Sequence, residues 1–281
     1  MFFITKYGDF GMRVEKEQFF SYIINKIDIE ILDSGIVYGD EEWRGKNICS
    51  PYSRLYYIKE GFPVIKYNSQ TLKMKPGYAY LVPAGHTFSY YCDDNYEKIF
   101  FHFNVTGPNG YDLFGDLKDC PYDKLSVERI EEIMKWYCEE SITASLKIRE
   151  EILSRVISLL PEKKITQTSE LMYSPGVQRT IDYIRLNLSV QLTTKELAEQ
   201  LFICESTLCK KFKNEVGVTI GTYIDDLIFF NAEKMLLKTK WSINQISETL
   251  GFCDQFYFSR RFKNKFGQTP LQYRKKLSTA L

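Results

Sequence analysis

The last hundred residues of this chain state one pattern twice, about fifty positions apart. Lys210-Lys211-Phe212-Lys213-Asn214-Glu215-Val216-Gly217-Val218-Thr219 returns as Arg260-Arg261-Phe262-Lys263-Asn264-Lys265-Phe266-Gly267-Gln268-Thr269, and Tyr223 returns as Tyr273. Upstream of each copy stands the same helix-start signal, a hydroxyl followed three residues later by an acid or amide: Thr193 with Glu196, then Ser242 with Gln245. A repeat at this spacing means two copies of one supersecondary unit. That restricts this part of the chain to a duplicated helical module.

Each copy reads as a short helix, a turn and a second helix. In the first, Leu197, Ala198 and Leu201 give the short helix an apolar stripe, Phe202 to Glu205 form the turn, and a helix is expected over Ser206–Val216 with Gly217 as its stop. In the second, Ile246 and Leu250 supply the stripe, Gly251-Phe252 turns the chain, and Asp254–Phe266 forms the helix before Gly267. Two helices joined by a tight turn are the helix-turn-helix arrangement, whose second helix can enter a DNA major groove. At about 100° per residue, Leu208 and Phe212 share a buried face, as do Phe258 and Phe262. Ser206, Cys209, Lys210 and Lys213 then face outward in the first copy, and Phe256, Ser259, Arg260 and Lys263 in the second. Arg and Lys can reach guanine O6 and N7, and an apolar ring can lie on a thymine methyl.

Charge divides along the same line. Between Gly176 and Lys276 there are 16 Lys and Arg against 10 Asp and Glu, which leaves 21 cations and 26 acids before that stretch. The overall charge of +1 therefore conceals a basic C-terminal part and an acidic N-terminal one. A basic domain is the footprint of a phosphate-backbone binder.

With these residues in view, Val177 to Lys276 resembles the DNA-binding domain of AraC-family transcription regulators. The segment from Ser242-Ile243 through Gly251-Phe252-Cys253-Asp254-Gln255-Phe256-Tyr257-Phe258-Ser259-Arg260-Arg261-Phe262-Lys263 to Gly267-Gln268-Thr269-Pro270-Leu271-Gln272-Tyr273-Arg274 is similar to that family's signature almost throughout. The resemblance implies seven helices holding two helix-turn-helix units, with Ser206, Cys209 and Lys210 as base readers in the first recognition helix and Gln255, Phe256, Ser259 and Arg260 in the second. The connecting helix, Ile220 to Lys238, spans about 28 Å at 1.5 Å per residue, close to the ~34 Å of one DNA turn. Three departures from the family stand out: Ile228 where many members carry Arg, Cys204 in place of a Ser cap, and Cys209 at a base-facing position.

The N-terminal part is of another kind. Arg54–Gly61, Val64–Tyr67, Gln70–Met74, Tyr78–Val82 and Ile99–Val105 are short β-prone runs broken by Gly, Pro and Asn, the signature of a barrel or sandwich. Gly77, Pro83-Ala84-Gly85 and His102-Phe103 resemble landmarks of the cupin-like sensing domain found in many of these regulators, although Phe88 stands where such sensors often place His. Strand alternation puts Arg54 with Tyr56, His86 with Phe88 and Tyr90, and Phe100 with His102 and Asn104, without fixing which faces point inward. Arg54, Tyr56, His86, Phe88, Tyr90 and His102 are the candidate ligand contacts, in keeping with rings and a few polar groups lining a small-molecule pocket. A metal-dependent cupin enzyme needs three or four convergent ligands. Two histidines in the whole chain, His86 and His102, argue against that, so neither a metal nor another cofactor is expected.

Ile130, Ile133, Met134 and Tyr137 recur at helical spacing, as do Leu153, Val156, Ile157 and Leu160, with Ile148, Ile152 and Leu159 as a second stripe on the later helix. The second stripe has two open explanations: the same helix of a second subunit, or a single wide stripe buried within one chain. The expected division is a cupin-like sensing barrel over 1–125, a helical pair serving dimerisation over 126–160, a linker over 161–175 and the DNA-binding domain over 176–281. The expected fold is thus two-domain, an N-terminal all-β cupin-like barrel with a helical pair followed by an all-α domain with two helix-turn-helix units.

No stretch approaches the ~18 apolar residues of a membrane span, and Met1–Lys6 is too short for a signal peptide, so a cytoplasmic protein is expected. Seven cysteines without a Cys-x-x-Cys fit neither a disulfide framework nor a zinc cluster. Reduced thiols are expected, a Cys204–Cys209 redox switch being the alternative. The expected partners are an operator duplex, a small-molecule effector of the sugar class, a second copy of the chain and RNA polymerase. Competing readings are a ligand-independent activator whose barrel mediates dimerisation or protein contacts, and a cupin enzyme fused to a DNA anchor.

Overall fold

The computed structural model describes residues 3–6, 13–16, 26–68, 70–115, 117–161 and 173–278. The linker expected over 161–175 falls mostly outside these residues.

Two short strands, β1 (Phe3–Lys6) and β2 (Arg13–Lys16), pair with each other. The N-terminal domain proper consists of two antiparallel sheets. The larger contains β3 (Asp28–Gly39), β5 (Ser53–Glu60), β8 (Tyr78–Val82), β10 (Tyr96–Thr106) and β11 (Tyr122–Lys124), in the order β11-β8-β5-β10-β3. The smaller contains β4 (Arg44–Ile48), β6 (Val64–Tyr67), β7 (Gln70–Lys73) and β9 (Phe88–Tyr91), in the order β4-β9-β6-β7. The sheets face one another and do not share strands, so the β domain is an open two-sheet form of the barrel.

Strand β5 is buried almost along its whole length because both of its faces are covered. Leu55 and Tyr57 point outward with Ile99, Phe101 and Phe103 of β10, under the helices α1 (Val127–Cys138) and α2 (Ile142–Leu159). Tyr56 and Ile58 point inward with Tyr80 and Val82, against Ile65, Phe88 and Tyr90 of the smaller sheet. The pairing places Arg54 opposite His102, Tyr56 opposite Phe100 and Ile58 opposite Lys98, with an irregularity between Glu97 and Lys98. Strand alternation thus settles the orientation that the sequence left open: the Arg54, Tyr56 and His102 face lies between the sheets.

Helix α2 buries Ile148, Ile152, Val156 and Leu159 against the larger sheet. Its other apolar stripe, Ile142, Leu146, Leu153 and Ile157, is exposed.

Seven helices follow: α3 (Pro175–Leu186), α4 (Thr194–Gln200), α5 (Glu205–Val216), α6 (Ile220–Lys238), α7 (Ile243–Thr249), α8 (Gln255–Phe266) and α9 (Pro270–Ser278). The two helix-turn-helix units are α4-α5 and α7-α8. Both expected start signals form: Thr193 accepts a bond from Glu196 N–H, and Ser242 with Gln245 makes the full reciprocal capping box. The turn of the second unit runs through Gly251 at φ +81, where a Cβ would collide with Ser189 Oγ. The first unit has Phe202 in the corresponding place, at φ +54.

Helix α6 is apolar on most sides because it serves both units at once. Tyr223 meets Phe212 of α5 with ring centroids 5.4 Å apart, and Phe229 meets Phe258 and Phe262 of α8 at 6.5 and 6.1 Å. Ile228 is buried in the same core, so the residue that departs from the family serves packing here. No helix among the described residues is long and apolar enough to cross a membrane.

Candidate nucleic-acid interface and inter-sheet pocket

Helices α5 and α8 present equivalent faces. Leu208 and Phe212 are buried in α5, Phe258 and Phe262 in α8, and both helices stop at a left-handed glycine, Gly217 and Gly267. Ser206, Cys209, Lys210 and Lys213 are all exposed. In α8, Phe256, Arg260 and Lys263 are exposed, while Gln255 and Ser259 are half-buried beside the turn.

The cations of α8 divide into two groups. Arg261 pairs with Asp225 of α6, and Lys265 pairs with Asp226 at 2.7 Å. Arg260 and Lys263 have no carboxylate within ion-pair distance among the described residues, nor do Lys210 and Lys213 of α5. Helix α6 thus neutralises the inward cations of α8 and leaves the outward ones available to an external anion. The Arg260 guanidinium lies 5.5 Å from the Tyr257 ring centroid, within reach of a cation–π contact.

The two starts differ. Asp254 accepts bonds from the Phe256 and Tyr257 N–H groups at 2.7 Å each, and these hold its carboxyl below the usual range. Cys204 stands at the corresponding position of α5 without the cap bond that Asp254 makes; its Sγ lies 3.2 Å from Ser206 Oγ, and that hydroxyl, with the Thr207 and Ser206 backbone N–H groups, holds the thiol below its usual range. All seven cysteines are free, including Cys204 and Cys209.

Between the two sheets lies a cavity of about 70 Å³ lined by Val37, Trp43, Arg54, Tyr56, Tyr90, Lys98, Phe100 and His102. Arg54, 2% exposed, is its best-anchored member. Its Nη2 donates to Ser50 Oγ at 2.7 Å and Tyr52 Oη at 3.1 Å, while Nη1 donates to Tyr56 Oη at 3.4 Å and lies 3.2 Å from His102 Nε2. Burial pushes the His102 pKa down to about 4, the nearby Asp33 carboxylate notwithstanding, so the ring is neutral. Arg can only donate, so His102 Nε2 accepts and its proton sits on Nδ1, 3.3 Å from Asp33 Oδ2.

Lys98 was not among the expected residues, yet it is 3% exposed and lines the same cavity. Its Nζ lies 3.7 Å from the Trp43 ring centroid and 4.3 Å from that of Tyr56. Burial, then repulsion from Arg54, holds its pKa well below the usual lysine range. The signal was present in the sequence: Lys98 continues the Phe100, His102, Asn104 alternation by one more step. Of the six expected contacts, Arg54, Tyr56, Tyr90 and His102 line the cavity, and Phe88 lies beneath the Arg54 guanidinium at 5.5 Å. His86 does not join them. It sits half-buried in the turn before β9, its Nδ1 3.4 Å from Ala84 O.

The domains meet through α6. Tyr223 Oη donates to Asn109 O at 2.7 Å, Tyr111 Oη donates to Asp226 Oδ2 at 3.3 Å, and Lys234 and Lys238 both pair with Glu30. Tyr52, which accepts from Arg54, is buried with the hydrophobic core of the C-terminal helices. One side chain therefore touches both the cavity's arginine and the DNA-binding domain.

A family profile described as a helix-turn-helix domain matches residues 197–276. The chain is similar over most of its length to the lactose operon transcription activator of Staphylococcus xylosus, at 23% identity over 261 residues, covering 88% of this chain and 92% of the relative. It is also similar to the Msm operon regulatory protein of Streptococcus mutans, at 24% over 283 residues, covering 91% and 97%. Among solved structures, the C-terminal domain of AraT, a response regulator from Geobacillus stearothermophilus, is 33% identical and covers 36% of this chain and 85% of that one, with a TM-score of 0.35.

Proposed function

The chain is a member of the AraC family of DNA-binding transcription regulators and not an enzyme, and from that premise we propose that α5 and α8 read a specific operator under control of a small effector held between the N-terminal sheets. The observation that carries the DNA assignment is the division of charge on α8. Arg261 and Lys265 are neutralised from within, whereas Arg260 and Lys263 face outward with no ion pair among the described residues, beside the exposed Phe256. Arg260 is the base reader and Lys263, further along the helix, the phosphate contact. Ser206, Cys209, Lys210 and Lys213 take the corresponding places on α5, with Gln255 and Ser259 completing α8.

The effector is of the sugar class, a reading supported by the relative that regulates a lactose operon. Arg54, Tyr56, Tyr90 and His102 are its contacts. The exposed stripe of Ile142, Leu146, Leu153 and Ile157 on α2 supports assembly with a second copy, which doubles the number of recognition helices on the operator. The protein works in the cytoplasm, with RNA polymerase as its further partner.

Fluorescence anisotropy on the mapped operator and on random duplex tests the central assignment. Arg260→Ala should cost ~1 to 3 kcal/mol on the operator and relax the preference at one base position, while Lys263→Ala should weaken both duplexes alike and lower the salt slope by about one. Equal losses on both duplexes for Arg260→Ala would remove its base-reading role.

A further inference from the structure

Two basic side chains enter the inter-sheet cavity, and the protein supplies almost nothing to balance their charged forms. Arg54 and Lys98 project from neighbouring strands, β5 and β10, toward the same space, and both are nearly inaccessible. Arg54 reaches a carboxylate only indirectly, through the neutral ring of His102 to Asp33. Lys98 has no carboxylate partner among the described residues. Glu97, its neighbour in sequence, points to the opposite side of the sheet and pairs with Lys59 at 2.8 Å. The Lys98 ammonium instead faces the rings of Trp43, Tyr56 and Tyr96.

Ring faces attract a cation, but they accept none of its three N–H bonds in the way an oxygen would. Three polar atoms in this region are buried without a hydrogen-bond partner, Arg54 Nε, His102 Nδ1 and Tyr96 Oη. Buried donors left unpaired are costly, and a buried charge lacking an opposite charge is costlier. A fold seldom retains two such cations side by side for stability, because an apolar residue of the same volume would pack there at lower cost. The arrangement makes sense as a receptor whose missing component is an anion.

We propose that the inter-sheet cavity receives one anionic group of the effector, a carboxylate or a phosphate monoester, seated between Arg54 and Lys98. This rests on the reading that the N-terminal domain holds a small-molecule effector, and it changes the effector from a neutral sugar to an acidic or phosphorylated one. The volume fits a head group. A cavity of about 70 Å³ has room for a head group of a few heavy atoms and falls short of a whole hexose. Trp43, Tyr56, Tyr90 and Phe100 then offer flat faces to the adjoining carbon skeleton. The anion also acts where the domains connect, because Arg54 donates to Tyr52 and Tyr52 packs with the C-terminal core. An oxygen that recruits Arg54 competes with the hydroxyls now holding it.

Thermal melting of the full chain at constant ionic strength provides the test, with inorganic phosphate, glucose 6-phosphate, gluconate and glucose as probes. A phosphate or carboxylate compound should raise the Tm by several degrees, the two anion types telling the sources apart, while glucose leaves it unchanged. Lys98→Met should abolish the shift and, without any probe, melt at or above the wild-type temperature, since it removes a buried amine whose charged form has no carboxylate partner. An anion shift that survives Lys98→Met, or a Lys98→Met chain melting far below wild type, overturns the proposal. Stabilisation by glucose alone also overturns it but leaves the effector reading intact. No shift with any of the four probes removes both.

Discussion

Replacing Glu233 by Gln should make this protein more stable, by an amount that grows as pH rises from about 5 to about 7. Glu233 lies on α6, 8% exposed, and accepts a hydrogen bond from the Tyr273 hydroxyl of α9. Burial pushes its pKa from 4.5 up to about 7, with the Tyr273 bond and the Lys265 charge pulling weakly the other way. The folded protein therefore keeps a proton that the unfolded chain releases between those two values. The contribution to stability is complete below pH 4.5, declines as pH rises through 4.5 to 7, and is gone above the folded-state pKa. At about 1.4 kcal/mol per pH unit, the loss across that interval is roughly 3 kcal/mol. Gln keeps an oxygen for Tyr273 and cannot ionise, though its buried amide group gives back about 1 kcal/mol if it finds no acceptor. The expected net effect of Glu233→Gln is a gain of roughly 2 kcal/mol at pH 8 and none, or a small loss, at pH 5. Urea titrations followed by helical circular dichroism at the two pH values measure it. A difference between variant and wild type that does not change with pH would show that Glu233 titrates normally and refute the reasoning.

Cys204→Asp should add about 1 kcal/mol by giving α5 the cap that Asp254 gives α8; an unchanged urea midpoint would mean that the first unit already satisfies those N–H groups otherwise. Phe202→Gly should stabilise by about 0.5 to 1 kcal/mol, because Phe202 is 96% exposed and held at φ +54, a region where a side chain is penalised. Loss of stability there would mean the ring makes a contact worth more than the strain. Leu146→Lys with Ile157→Lys should convert a dimer to a monomer in sedimentation without lowering the Tm, both side chains being exposed in the single chain; a persisting dimer would move the interface off α2.

The C-terminal domain was legible because its information is local. Leu208 with Phe212 and Phe258 with Phe262 mark the buried face from spacing alone, and Gly217 and Gly267 stop their helices where expected. The extent of α6 follows in the same way from Ile220 to Lys238. The N-terminal domain yielded less because a strand's environment is set by partners far away in sequence. Strand β3 carries Asp33, Ser34 and Gly35 in its middle and shows no clean alternation, yet it pairs along nearly all of β10. Lys98 shares the alternation of Phe100 and His102, but alternation does not say which face is inward; the register against β5 brings it beside Arg54. His86 was assigned to a face by counting back from Phe88, but β9 begins at Phe88, and alternation has no meaning in the turn before it. The distinction between free and neutralised cations on α8 was also invisible, since it depends on Asp225 and Asp226 two helices earlier.

The contacts between the domains are of a kind that a ligand can shift. Lys234 and Lys238 share one carboxylate, Glu30, and all three side chains keep part of their surface in water. Such pairs contribute about 0 to 1 kcal/mol each. The Tyr223 to Asn109 and Tyr111 to Asp226 hydrogen bonds add about 1 kcal/mol apiece. Their sum is of the same order as the ~1 to 3 kcal/mol that typically couples two sites in one protein. An effector that draws Arg54 away from Tyr52 therefore needs only a modest preference for one domain arrangement to change how α5 and α8 are presented. The coupling must also run in reverse: operator binding, by favouring that arrangement, must tighten the effector by the same factor. An inter-domain interface of well-packed apolar rings would be too stable to respond at this scale. In this chain the part-exposed ion pairs and hydrogen bonds, together with the buried Tyr52, keep the DNA-binding domain within reach of the pocket's chemistry.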